Sequence, residues 1–335
     1  MFLAKVTMRR RDFLVLLGSA APAWPIAVQA QKIGKRPTVG VLWHAGSAEE
    51  EATNFTGLME GFTSSGYVEG RNINFVHRFP NEAPERFSAM AAELVSSNVD
   101  VLIAVGNNAA PYAKNATTAI PIVFTLVGDP IGLKLVDNLA RPQENVTGLS
   151  NFSAELIPKR LELLKELIPG LSRVAVLANA NASISRLYKE LSQAGAIHLG
   201  LTVQIFEVRS PEELEAAFNA MEQAGMQALT ANADGLAFTH RAVIAKLALA
   251  RRLPLAVWSR DTLEAGALLS YGPDNLTIIR RTAAYVDKIL KGTKPSELPV
   301  EQPTKFQFLI NLKTAKALGL DIPLFLQQRA DEVIE

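Results

Sequence analysis

The chain has 335 residues, a formal net charge of +1 and no cysteine. Without thiols it can form no disulfide, thiolate metal site, cysteine nucleophile or lipid-bearing cysteine of a bacterial lipoprotein. Near-neutral charge argues against a broad nucleic-acid footprint, and the length suffices for two domains with cores of their own.

The first 31 residues include "RRRDFLVLLGSAAPAWPIAVQAQ". A spanning helix needs about 20 mostly apolar residues, so the uncharged run 13–30 is only just long enough. Gly18, Ser19, Pro22 and Pro25 make its second half a poor helix interior. A basic head, a short apolar run and a small-residue end read as an export signal over residues 1–30. Val28, Gln29 and Ala30 place cleavage before Gln31, and Arg10-Arg11-Asp12-Phe13-Leu14 resembles the twin-arginine motif. General export and an uncleaved N-terminal anchor are the alternatives. No later apolar run is long enough to span a bilayer, so the mature chain is expected free in solution and monomeric.

From residue 38 the pattern alternates. "TVGVLW" (38–43) reads as a strand and residues 48–65 as a helix. "YVEGRNINFVHRF" reads as a turn and strand, and "ERFSAMAAELVSSN" as an amphipathic helix. "VDVLIAVG" and "IPIVFTLV" are buried strands flanking the helix "NAAPYAKNAT". Continuous apolar strands alternating with helices predict a parallel sheet covered on both faces. The pattern then restarts. "RVAVLANA" matches "TVGVLWHA", "QALTANADG" matches "VLIAVGNNA", and "LPLAVWSRD" matches "IPIVFTLVGD". Val39 and Val174 stand 135 residues apart and Pro121 and Pro254 stand 133 apart, a spacing that two similar α/β lobes in one chain would give.

Several stretches, "GLMEGFTSSGYVEGRNI", "IPIVFTLVGDPIGLKLV", "NVTGLS", "PKRLELLKELIPGLSRVAVLAN", "EAGALLSYGPD" and the closing "LPVEQPTKFQFLINLKTAKALGLDIP", carry a resemblance. With the signal, they resemble periplasmic substrate-binding proteins of ABC importers, in the subgroup that includes putative tryptophan and tyrosine binders. The resemblance implies a type I periplasmic-binding-protein fold: two flavodoxin-like lobes with parallel sheets, joined by three crossings. It implies lobes of residues 36–149 plus 273–296 and 150–272 plus 297–335, with the tail 314–323 packed across the pair. It also implies delivery of a small ligand to permease subunits in the inner membrane.

Ligands of open parallel sheets bind beyond the carboxyl ends of the strands. Here those ends are small and polar: 43–47, Gly106-Asn107-Asn108 and Gly128-Asp129, then 179–183, 232–235 and 259–261. Free N–H groups opening the following helices attract an oxyanion, although Asn, Asp and Ser also favour such positions simply as caps. The candidate ligand residues are Trp43, Ser47, Gly106, Asn107, Asn108, Asp129, Asn179, Asn181, Asn232, Asp234, Ser259, Tyr271 and Asp274. Trp43, at a strand end, is expected either to stand exposed and stack on a flat ligand, with Tyr271 opposite, or to pack as a roof on its own lobe, whereas Trp258 reads as ending a core strand. A ligand carboxylate is expected on the N–H groups of residues 106–108, and its ammonium on Asp234 or Asp274, with Asp129 a further candidate.

The histidines at 44, 77, 198 and 240 lack metal-ligand spacing, and no H-E-x-x-H, G-x-S-x-G or Walker loop occurs. "LWHAGS" follows the first strand where a dinucleotide fold would carry G-x-G-x-x-G. No cofactor, metal or catalytic residue is expected. An isomerase-type enzyme on the same scaffold and a ligand-sensing domain stay open as rivals, because fold alone does not decide between them.

Overall fold

The computed structural model describes residues 36–142 and 144–335; the expected export signal and its cleavage point lie outside the described residues. The first half runs β1 (Thr38–Leu42), α1 (Ala52–Ser64), β2 (Asn74–Arg78), α2 (Pro84–Ser96), β3 (Val101–Val105), α3 (Gly106–Ala116), β4 (Ile122–Val127) and β5 (Val146–Ser150). Every residue of β3, VLIAV, and of β4, IVFTLV, is buried. Successive strand side chains point to opposite faces, so both faces need a cover. Val101, Ile103 and Val105 share a core with Leu58 and Phe62 of α1 and with the helix at 275–290, whereas Leu102 and Ala104 share one with residues of α2 and α3. The five strands are parallel, in the order β2-β1-β3-β4-β5.

The second half continues with α4 (Ile157–Leu167), β6 (Arg173–Asn179), α5 (Ser185–Leu199), β7 (Thr202–Val208), α6 (Leu214–Gln223) and β8 (Ala228–Ala231). It proceeds through α7 (Gly235–Thr239), α8 (Arg241–Ala250), β9 (Leu255–Val257), α9 (Arg260–Glu264) and β10 (Leu269–Pro273). Strands β7-β6-β8-β9-β10 repeat the first order, all parallel. Val39 and Val174 sit in the equivalent strands β1 and β6, and Pro121 and Pro254 stand just before the equivalent strands β4 and β9.

The chain crosses between the sheets three times. It leaves β5 for α4, then leaves β10 for α10 (Asn275–Leu290), whose Ile278, Ile279, Ala283 and Val286 belong to the first core. Asp274 caps α10, its carboxylate accepting from Thr277 N at 3.1 Å and Thr277 Oγ1 at 2.8 Å. Glycines let α1 and α10 meet closely: a Cβ on Gly61 would lie 2.2 Å from the Arg280 carbonyl oxygen. Leu298 and Val300 still pack in the first lobe, and Glu301 bridges Leu149, so the third crossing falls at 302–305. The chain then adds β11 (Phe306–Asn311) antiparallel to β10, α11 (Leu312–Leu318), α12 (Leu324–Arg329) and β12 (Glu332–Ile334) parallel to β11. The expectation that the tail lies across both lobes is corrected: Ala315, Ile322 and Leu326 are part of the second lobe's core. No helix among the described residues is long and apolar enough to cross a membrane.

Candidate functional site

In a 2-1-3-4-5 sheet, the loops after strands 1 and 3 run to opposite faces and leave a crevice between them. Both sheets have this switch point. In the first lobe it lies between His44, after β1, and the start of α3. In the second it lies between Asn179, at the end of β6, and the turn 232–235 after β8.

Polar side chains join the two crevices. Asn107 donates from Nδ2 to the Ala233 carbonyl at 3.3 Å and accepts from Gly128 N at 2.7 Å. Asn108 accepts from Ser183 N at 3.0 Å and Oγ at 3.1 Å, and donates to Glu82 Oε2 at 2.6 Å. The lobes thus meet across a cavity of ≈ 50 Å³. Its charged lining is His44, Glu82 and Asp234; its apolar lining includes Val105, Leu126, Phe238 and Trp258; Asn54, Asn151 and Asn275 add amides.

Backbone conformation concentrates here. Gly106 has φ +88°, and a Cβ would sit 3.3 Å from the His44 ring, so glycine serves both the left-handed turn and the close approach. Asn81, Glu82 and Leu126 are also left-handed, with φ of 57°, 56° and 57°. Such non-glycine residues cost about 1–3 kcal/mol each and persist where the surroundings hold them. Here Asn81 N bonds the Ala45 carbonyl at 3.0 Å and Glu82 N the His44 carbonyl at 2.9 Å.

The imidazole of His44 lies between two carboxylates, with Nε2 2.5 Å from Glu51 Oε1 and Nδ1 3.1 Å from Glu82 Oε1. Burial opposes its charge, but Glu51 and Glu82 outweigh burial and raise its pKa well above the ordinary value. Burial likewise opposes the Glu51 charge, and His44 with Asn54 holds its pKa below the usual range. Asp234, 8% exposed, caps α7 by accepting from Ala237 N at 3.0 Å. Its other oxygen accepts no hydrogen bond among the described residues. Burial, with the Glu82 charge adding to it, pushes Asp234 up to about 7.

Of the residues expected from sequence, Gly106, Asn107, Asn108 and Asp234 line this cavity. Asn179 stands behind, its Nδ2 3.5 Å from Asp234 Oδ1, and its Oδ1 accepts from Asn181 N at 2.9 Å. Asn181 Nδ2 donates to the Arg209 carbonyl, and Asn232 is buried with an unpartnered Nδ2. Ser47 accepts from Glu50 N at 3.4 Å, and Asp129 closes its own turn by accepting from Gly132 N at 2.8 Å. Ser259 bonds Thr262 and, with Asp274, borders a separate recess of ≈ 260 Å³. Tyr271 lies within β10 opposite Phe308, its ring against Phe306, and does not face Trp43.

Trp43 is corrected outright: its side chain is fully buried rather than exposed. Its N–H donates to the Arg78 carbonyl at 3.0 Å, which continues the β1–β2 ladder by one residue. Strand alternation then sends the ring into the core with Val39 and Val41, where Nε1 donates to His77 Nδ1 at 3.1 Å and the ring stacks on Phe79. Trp258, assigned to a core strand, is buried but lines the cavity. Glu82, Phe238, Leu126, Asn54, Asn151 and Asn275 were not among the expected residues. Three of them had a signal: Glu82 follows the carboxyl end of β2, Asn151 that of β5 and Asn275 that of β10.

Two repeated α/β sheets, three crossings and a cavity between their facing switch points define a two-lobed binding protein of the type I periplasmic-binding fold. The family model described as ABC transporter substrate binding protein matches residues 46–334, and the chain belongs to that family. It is 25% identical over 264 residues to a tyrosine-binding protein of Clostridioides difficile (strain R20291), covering 79% of this chain and 76% of that one. It is 26% identical, with a TM-score of 0.82, to an ABC domain from Streptococcus pneumonia solved in complex with L-Trp, covering 90% of this chain and all of that one. A substrate-binding protein with adhesive properties from Clostridium difficile, solved ligand-free and open, gives 25% identity and a TM-score of 0.64 over 89% of this chain and 99% of that one. The present arrangement superposes better on the complex than on the open structure.

Proposed function

We propose that the protein captures an aromatic L-amino acid in the periplasm, closes its lobes over it and presents it unchanged to an ABC permease. One observation carries this: the two switch points face each other and are bridged by Asn107 and Asn108 around a cavity with an acidic and an aromatic side. The ligand carboxylate lies at the start of α3, where the first-turn N–H groups have no helical acceptor. Its flat body lies along Phe238 and Trp258, and its ammonium meets Asp234. Likeness to a tyrosine-binding protein and to an L-Trp complex supports the ligand class.

The cavity is far smaller than the roughly 300–1,000 Å³ of ordinary ligand sites, so the lobes part to admit the ligand, hinging at the three crossings. Residues 1–30 direct export, by the twin-arginine or the general route, and the mature monomer begins at Gln31. Gentle denaturation of the purified protein and mass spectrometry of what it releases test the ligand class. Calorimetry with L-tryptophan and L-tyrosine follows, and recovery of the ligand unaltered checks for turnover. Release of a sugar or polyol, with no heat from either amino acid, would overturn the ligand class. N-terminal sequencing of the periplasmic fraction that began at Met1 would overturn cleavage.

A further inference from the structure

Glu82 belongs to the first lobe but presses on the second. A Cβ built on Gly235 would lie 1.6 Å from Glu82 Oε1, so the carboxylate occupies the space that the glycine leaves open. Oε2 takes the short bond from Asn108, while Oε1 is buried against Gly235, with the His44 imidazole, 3.1 Å away at Nδ1, as its one polar neighbour among the described residues. The neighbour of Gly235 is Asp234, more than nine-tenths buried, with one carboxylate oxygen unpartnered. Closing the lobes therefore brings two carboxylates, one from each lobe, into the same cavity. Asn275 lines that cavity too, with a buried amide oxygen that has no partner.

We propose that Glu82 is the specificity-determining residue of the cleft, making closure of the lobes conditional on a cationic group of the ligand. This rests on the reading that the cavity is the ligand site. The charges facing Glu82 do not supply that cation. The imidazolium of His44 is shared with Glu51 on its far side, and the guanidinium of Arg241 lies over the Phe238 ring and bonds the Phe238 carbonyl. Counting the lining alone, one positive and two negative groups meet when all are ionised. A primary ammonium offers one positive charge and three N–H donors, which Glu82, Asp234 and the Asn275 oxygen can accept. A ligand without it leaves like charges opposed and acceptors unfilled, so the closed state is disfavoured.

The test compares wild-type protein with Glu82→Gln, which keeps the shape and the bond from Asn108, using L-tryptophan and its deaminated analogue indole-3-propionate in calorimetry. In the wild type the analogue binds at least about tenfold more weakly. In Glu82→Gln the ratio narrows about tenfold, because L-tryptophan weakens while indole-3-propionate strengthens. Equal losses for both, or an unchanged ratio, would overturn the proposal. Small-angle scattering without added ligand supplies an arm that does not depend on ligand identity. Removing the Glu82 charge lets the lobes close, so Glu82→Gln has a smaller radius of gyration than wild type; equal radii would contradict the charge gate. If neither compound binds wild-type protein, the aromatic reading fails and the scattering comparison still decides the role of Glu82.

Discussion

Replacing Gly235 by alanine should block closure while sparing the fold. Gly235 is not left-handed, so alanine fits its backbone, and Gly→Ala at a compatible position stabilises by about 0.4–1 kcal/mol through the unfolded chain. In the closed arrangement, however, the new methyl would stand 1.6 Å from Glu82 Oε1 and 2.7 Å from His44 Nδ1. Carbon contacts settle near 3.5–4.0 Å, so Glu82 must withdraw by roughly 2 Å. Withdrawal breaks its 2.6 Å bond from Asn108, a bond to a charged group of the kind that contributes about 1.5–3 kcal/mol. Affinity for L-tryptophan or L-tyrosine should thus fall about ten- to a hundredfold, while the melting temperature without ligand is unchanged or slightly higher. Calorimetry and thermal unfolding on the same preparation read both quantities. Wild-type affinity in Gly235→Ala would refute the claim that closing the lobes on the ligand brings Glu82 against Gly235. A matching loss of thermal stability would show a folding defect instead.

Two further predictions concern the first lobe. Gly61→Ala drives a methyl into the Arg280 carbonyl, a backbone atom that cannot move aside alone. We expect a loss of about 1–3 kcal/mol and a melting temperature several degrees lower, and a larger drop than for Gly57→Ala, whose methyl meets the Leu276 side chain; an unchanged melting temperature would contradict the packing of α1 on α10. Burial pushes His77 down to about 4, keeping it neutral to accept from Trp43. Between pH 4 and 6.5 the unfolded chain therefore binds the extra proton, so stability present above pH 6.5 falls as the pH drops through 4, by about 3 kcal/mol in total. Asp234, pushed up to about 7, acts in the opposite sense over an overlapping range, losing stability as the pH rises. The His77 contribution is therefore read from denaturant titrations as the difference between wild type and His77→Gln, and parallel pH curves would contradict it.

Much of the fold is legible in residue patterns, because buried parallel strands need unbroken apolar runs and the loops between them need polar, turn-forming residues. The 135-residue offset of Val39 and Val174 reflects two sheets of the same order. The place of Gly106, Asn107, Asn108 and Asp234 at the cavity was readable because the strand-end rule depends only on topology. Trp43 was misplaced although its alternation with Val39 and Val41 carried the answer: one more ladder bond keeps it on the core side. Glu82 stands after a strand end as well, but its conformation was out of reach. Its left-handed backbone is imposed by bonds to the 44–45 loop, and nothing in a glutamate's chemistry announces that conformation. Phe238 and Trp258 look like core residues locally, and their place at the cavity is set only by the meeting of the two lobes.

The claim that the ligand is held between the two switch points is tested most directly by a crystal structure with L-tryptophan or L-tyrosine. It should show the amino acid in contact with both lobes, its carboxylate at the start of α3, its ring beside Phe238 and Trp258, and its ammonium between Glu82 and Asp234. A ligand touching one lobe only, or seated in another recess such as the one bordered by Ser259 and Asp274, would contradict it.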